Sequence, residues 1–184
     1  MKTIKIFFIT TILFTLSAHS QITKGNWMVG GYVNFSSNKS EYKPTNGVKS
    51  TSSGSGILLS PTIGYFLIDK LSIGLSPSFS YSNPSNGDNT FGYGGGPFVR
   101  YYLLKPDNRI NILTHIGYSY FTNSRDSHSN GYVLKAGPVV YFNSSVGLEF
   151  TIDYSRSSSS YNDGSDFLSK SINIGLGLQV HLEK

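Results

Sequence analysis

The sequence predicts an all-β fold, a closed antiparallel up-and-down transmembrane β-barrel of about eight strands, following an N-terminal signal peptide. Three observations carry this reading. Segments of strict apolar/small alternation recur along the chain. Charged residues make up only 14% of it, against about 25% in ordinary soluble domains. Beyond the N-terminus no stretch shows a sustained helical period or 18 uninterrupted apolar residues, which argues against a bundle of membrane helices.

The 184 residues suit one domain. Mean hydropathy is slightly negative; Ser, Gly, Asn and Tyr stand where a soluble protein carries charge. Residues 1–20 read as the signal peptide and 21–184 as the barrel domain. Lys2 and Lys5 form the positive start, and Ile6–Leu16 is an apolar run too short to span a bilayer. Ala18 and Ser20 are the small residues of a cleavage point before Gln21. Removing the peptide lowers the formal charge from +5 by the two lysines to +3, too mild to imply a nucleic-acid partner. The absence of Cys excludes disulfides and a lipoprotein anchor.

Eight segments are expected: about Asn26–Ser36, Gly56–Leu67, Leu71–Ser82, Phe91–Leu103, Ile110–Phe121, Tyr132–Phe142, Val146–Ser155 and Lys170–Leu182. The third is the clearest. Leu71, Ile73, Leu75, Phe79 and Tyr81 alternate with Ser72, Gly74, Ser76, Ser78 and Ser80. The last sets Ile172, Ile174, Leu176, Leu178, Val180 and Leu182 against Asn173, Gly175, Gly177, Gln179 and His181. Each is long enough for a tilted strand to cross a bilayer.

Connections after the second, fourth and sixth segments are short: Ile68–Lys70, Leu104–Arg109 and Asn143–Ser145. The others, Ser37–Ser55, Asn83–Thr90, Thr122–Gly131 and Arg156–Ser169, are longer and polar. Short periplasmic turns and long external loops have this asymmetry. A weak repeat puts Pro61, Pro97 and Pro138 at matching places in alternate segments. Proline lacks a ladder donor, so bulges or kinks are expected near those three and near Pro77.

Alternation alone does not say which face meets lipid. The face opposite the apolar one is mostly Gly, Ser and Asn, whereas a solvated exterior carries Lys and Glu. The aromatic residues fall at segment ends: Trp27, Tyr65, Tyr101 and Phe142 by the short turns, and Phe35, Phe79, Tyr81, Phe91, Tyr93, Tyr118, Tyr120, Tyr132 and Tyr154 by the long loops. Two aromatic belts around an aliphatic band are expected at the two membrane interfaces. The apolar face is therefore read as outward.

With the segments placed, PTIGYFLIDKLSIGLSPSFSYS over Pro61–Ser82 and GYGGGPFVRYY over Gly92–Tyr102 resemble the small outer-membrane β-barrel family of OmpA- and OmpX-like eight-stranded proteins. The resemblance covers about Trp27–Leu182. It implies an integral, porin-like cell-envelope barrel in the outer membrane of a Gram-negative cell. It also implies contact with outer-membrane lipid and assembly by the barrel-insertion machinery. The last segment, Gly175–Leu182, is similar to the signal that machinery reads. It departs from the family in ending His181-Leu182-Glu183-Lys184 rather than on an aromatic residue.

The inward positions carry few charges: Arg100, Lys135, Glu149 and Asp153, with His115 nearby. Counting back from a three-residue turn at Asn143–Ser145 sets Lys135 opposite Asp153. Eight strands enclose a space that side chains fill, so these residues are read as a structural polar plug of paired charges rather than an ion path. Lys39, Tyr42, Lys43 and Lys49 in the first long loop are candidate surface contacts, suited to anionic lipopolysaccharide. Arg125-Asp126-Ser127-His128-Ser129 contains the residue types of a catalytic triad, but sequence neighbours do not converge as a triad must. His115, His128 and His181 are too scattered for a metal site. The sequence therefore points to a monomeric structural or surface-interaction barrel with no catalytic, cofactor or metal residues. A narrow pore or small-solute channel is the first alternative and a lipid A-modifying enzyme the second.

Overall fold

Alternation with period two builds eight antiparallel strands: β1 (Trp27–Tyr42), β2 (Ser50–Ile68), β3 (Leu71–Pro84), β4 (Thr90–Tyr102), β5 (Ile110–Asn123), β6 (His128–Tyr141), β7 (Val146–Ser160) and β8 (Asp166–Leu182). The computed structural model describes residues 22–42, 48–85, 87–124, 127–160 and 165–183. The expected signal peptide, Lys43, Arg125 and Asp126 lie outside them. Each strand pairs with its sequence neighbour, and β1 pairs with β8, so the sheet closes. This is the barrel the sequence predicts.

The aliphatic side chains point out. Ile57, Leu59, Ile63, Ile73, Leu75, Val99, Ile112, Ile116, Leu134 and Ile152 are all exposed on the outer wall. A soluble barrel would bury this face. The aromatic rings flank it. Pairing sets Phe79 beside Tyr93, Tyr81 beside Phe91 and Tyr118 beside Tyr132 at one end. At the other end Trp27 packs edge-on against Tyr65, ring centroids 5.2 Å apart.

The strands differ from expectation at one end of the barrel. Most of Ser37–Ser55 is a continued hairpin, Ser37–Tyr42 pairing with Ser50–Ser55. Likewise Ser155–Ser160 pairs with Asp166–Ser171. The connections that remain there are scarcely longer than the short ones at the opposite end. The asymmetry is thus one of strand overhang, not loop length. The cause is physical. Beyond the apolar band both faces of a hairpin meet water, so apolar alternation is lost while backbone pairing continues, and the sequence resembles a loop.

None of the four prolines shifts the register. Each is paired on one side: Pro61 with Gly31, Pro77 with Gly95, Pro97 with Leu75 and Pro138 with Ile112. On the other side the ladder is interrupted and resumes at the same register. A missing N–H removes a bond without adding a residue, so an interruption suffices where a bulge was expected. Among the described residues the one irregularity of register lies elsewhere, between Phe66 and Ile68 beside the β2–β3 turn.

Closure is partial. β1 and β8 pair only from Trp27↔Leu182 to Gly31↔Leu178. Every other neighbouring pair is joined over most of its length.

Candidate functional site

The inward face divides the lumen into levels. Near the short-turn end the side chains are large: Met28 on β1, Phe66 on β2, Tyr102 on β4, Leu113 on β5, and Val139 and Tyr141 on β6. All are buried, and Ile22 joins them from the segment before β1. That segment is folded under the barrel: the Lys70 N–H donates to the Ile22 carbonyl (2.8 Å), the Gly25 N–H to Phe66 (2.9 Å) and the Lys24 N–H to Asp69 Oδ1 (2.9 Å). His181 completes this floor, ringed by Phe66, Tyr141 and Tyr102 at centroid distances of 5.5, 5.6 and 6.2 Å.

Directly above lies a hydrogen-bonded cluster. Arg100 Nη1 donates to Glu149 Oε1 (2.5 Å) and to Gln179 Oε1 (3.1 Å). The Tyr102 hydroxyl donates to the same Gln179 oxygen (2.6 Å), and Gln179 Nε2 donates to the Tyr141 hydroxyl (3.2 Å). Met28 Sδ lies 3.4 Å from both Arg100 Nη1 and the Tyr102 hydroxyl. A buried guanidinium requires a counter-charge and further acceptors, and Glu149 and Gln179 supply them.

His115 pairs in register with Arg100 on one side and Lys135 on the other. Its ring is buried and stacks on Phe98 at 5.0 Å. Lys135 stands opposite Asp153, with Nζ 3.1 Å from Oδ2, and lies 5.3 Å from the Tyr32 ring centre. Farther up, Ser, Gly, Asn and Thr dominate the inward positions, with Tyr32, Leu58, Phe121 and Val133 among them. Ser60 and Ser78 hydrogen-bond at 3.1 Å, and Ser155 and Ser171 at 2.7 Å. The lumen is therefore plugged at the short-turn end.

All five residues read from the sequence as a plug come together here, as two ion pairs with His115 between them. The sequence reading missed Gln179, Tyr102, Tyr141, Met28 and Phe98. A usable signal existed. At inward positions near the short turns, large residues break the Gly/Ser pattern.

The other candidates are dispersed. Lys39 and Tyr42 lie on β1 rather than in a loop, and Lys49 pairs with Glu41 (2.8 Å). In the triad-like stretch, Asn123 Nδ2 donates to Ser127 Oγ (2.9 Å), while His128 Nδ1 lies 3.0 Å from the Tyr120 hydroxyl. Ser127 and His128 thus turn to different partners. Among the described residues no cluster of three His, Cys, Asp or Glu side chains is placed to hold a metal. A hollow of about 520 Å³ sits on the outer wall, lined by Trp27, Ile63, Tyr65, Ile73, Leu75 and Pro77, away from the polar cluster.

No family model and no curated protein matches the chain. Among solved structures it is similar to the outer-membrane protein OprG from Pseudomonas aeruginosa, at 12% identity and a TM-score of 0.52. The match covers 92% of this chain and all of that one. At that identity the likeness speaks to the fold, and the fold it shares is that of an outer-membrane β-barrel.

Proposed function

We propose that the protein resides in the outer membrane as a structural or surface-interaction barrel that neither conducts solutes nor catalyses a reaction. The observation that carries this reading is the floor of the lumen. Ile22, Phe66, Tyr102, Tyr141 and His181 are all buried across the short-turn end, with the Arg100–Glu149–Gln179 cluster above them. A path for solutes would have to cross both layers. The aliphatic outer wall between two aromatic belts suits a bilayer, with the short turns in the periplasm and the hairpin overhangs outside. The overhangs, polar and Ser-rich, are then the surface offered to partners. Lys39 and Tyr42 stand on one of them. Lys49 stands beside it, paired with Glu41, which leaves Lys39 the better placed for anionic lipopolysaccharide.

A narrow pore is the second reading, favoured by the many Ser and Gly residues at inward positions above the plug. Planar-bilayer recording separates the two. The proposed function expects no conductance above the lipid background. Discrete channel steps from the wild-type protein would replace it with the pore. Mass spectrometry of lipid A incubated with the protein checks the absence of catalysis, and the expected result is unchanged lipid.

A further inference from the structure

The pairing of β1 with β8 stops at Gly31↔Leu178, although both strands run on, β1 to Tyr42 and β8 back to Asp166. Among the described residues, no strand pairs with the facing edges of Tyr32–Tyr42 and Asp166–Gly177. Gly31 marks the parting. Its φ of +136° is open to glycine but rarely to other residues, and a Cβ there would meet the Ser60 carbonyl oxygen, and Pro61 Cα at 2.7 Å. Beyond it β1 follows β2 and leaves β8.

The stretches of the open edges next to the seam lack the charges and prolines that usually protect an edge strand. Tyr32–Ser37 and Ile172–Gly177 contain no charge and no proline. The outward side chains beside the gap include the most exposed large hydrophobics of the described strands: Ile174 (89%), Phe35 (77%) and Ile172 (74%). Tyr32, Asn34 and Asn173, which point inward, are also exposed, so the wall is open at this point. By distance along the strands from Trp27, the stretch falls within the outer half of the apolar band. Lipid tails cannot satisfy free backbone N–H and C=O groups there. Another strand can.

We infer that two copies of this chain associate through the seam, β1 of each pairing with β8 of the other. The complement is already present in the sequence. At the register that closes the lower seam, Val33 of one copy meets Leu176 of the second, and Phe35 meets Ile174, as apolar cross-strand pairs. The pairing ends where that register would set Lys39 against Lys170, like charges opposed. The arrangement is isologous, so both open edges are consumed and no further copy adds. It departs from the single-barrel expectation of the sequence. It takes from the proposed function only the placement in a bilayer.

The test uses the full protein in lipid nanodiscs, checked for heat-dependent gel mobility so that loss of the barrel registers separately. Wild-type protein is expected at two copies per particle, and Ile174→Lys at one with its heat-dependent mobility intact. The chain has no cysteine, so F35C/I174C can be oxidised without background. A disulfide-linked species of twice the mass on a non-reducing gel is the expected result. V29C/V180C, within the paired seam, should bridge inside one chain. Single-copy wild-type particles would overturn the inference. A 35–174 bridge within one chain, or none while 29–180 forms, would overturn it too.

Discussion

Arg100 on β4 reaches across the lumen to Glu149 on β7, two strands that are not neighbours in the sheet. Both side chains are buried, and Gln179 on β8 takes a further bond from the same guanidinium nitrogen. The pair therefore ties opposite walls together above the floor. Removing one partner strands the other charge in a low-dielectric interior. Glu149→Ala should destabilise the barrel by about 3–5 kcal/mol in urea titrations from lipid vesicles. The double variant Arg100→Met/Glu149→Leu, which removes both charges while keeping bulk, should cost much less. Equal losses in the single and double variants would contradict the pairing.

Phe98 lies in a hollow left by two glycines. A Cβ on Gly74 would come within 2.6 Å of the Phe98 ring and 2.7 Å of Gly64 Cα. The backbone contact cannot be relieved by rotating a side chain. Gly74→Ala should therefore cost about 1–3 kcal/mol, as overpacking does. Urea unfolding measures it, and a neutral effect would contradict the close approach of Gly74 to Gly64.

The outer wall has a depth profile that substitution can map. On β7, Ile152 lies in the aliphatic band, Tyr154 in the belt and Arg156 beyond it, all on the outward face. Ile152→Arg should lose about 2–4 kcal/mol, the cost of a charge near mid-bilayer. Ser158→Arg, two residues past Arg156 on the same face, should lose about 0–1 kcal/mol. A soluble barrel would tolerate both equally.

The floor should also be separable from the wall. Phe66→Ala with Tyr102→Ala removes two buried rings, centroids 6.0 Å apart, from the short-turn end. If they close the lumen, the double variant should show more bilayer conductance than the silent wild type. Persistent silence would place the barrier in the Arg100–Glu149 layer instead.

Strand number, order and facing were legible in the sequence because period-two alternation survives wherever one face meets an apolar environment. The Lys135–Asp153 pair was legible for a related reason: a tight turn at Asn143–Ser145 fixes the register of β6 and β7, so opposite residues can be counted. Arg100–Glu149 offered no such count, since nothing local in sequence relates β4 to β7 across a lumen. The overhangs were hidden because Ser- and Asn-rich strands in water lose the alternation that marks strands. The prolines suggested bulges, whereas the ladder absorbs each by omitting bonds on one side. The positive φ of Gly31, where the β1–β8 seam ends, had no distinguishing mark among 20 glycines.

The central claim is a closed barrel whose apolar wall faces lipid. Folded barrels of this kind hold their shape in SDS until boiled, because most of their backbone groups are satisfied within the sheet. Gel mobility of boiled and unboiled protein, read beside membrane fractionation, tests this most directly. Two different mobilities and recovery with the outer membrane are expected. Identical mobilities, with the protein in the soluble periplasmic fraction, would contradict the claim.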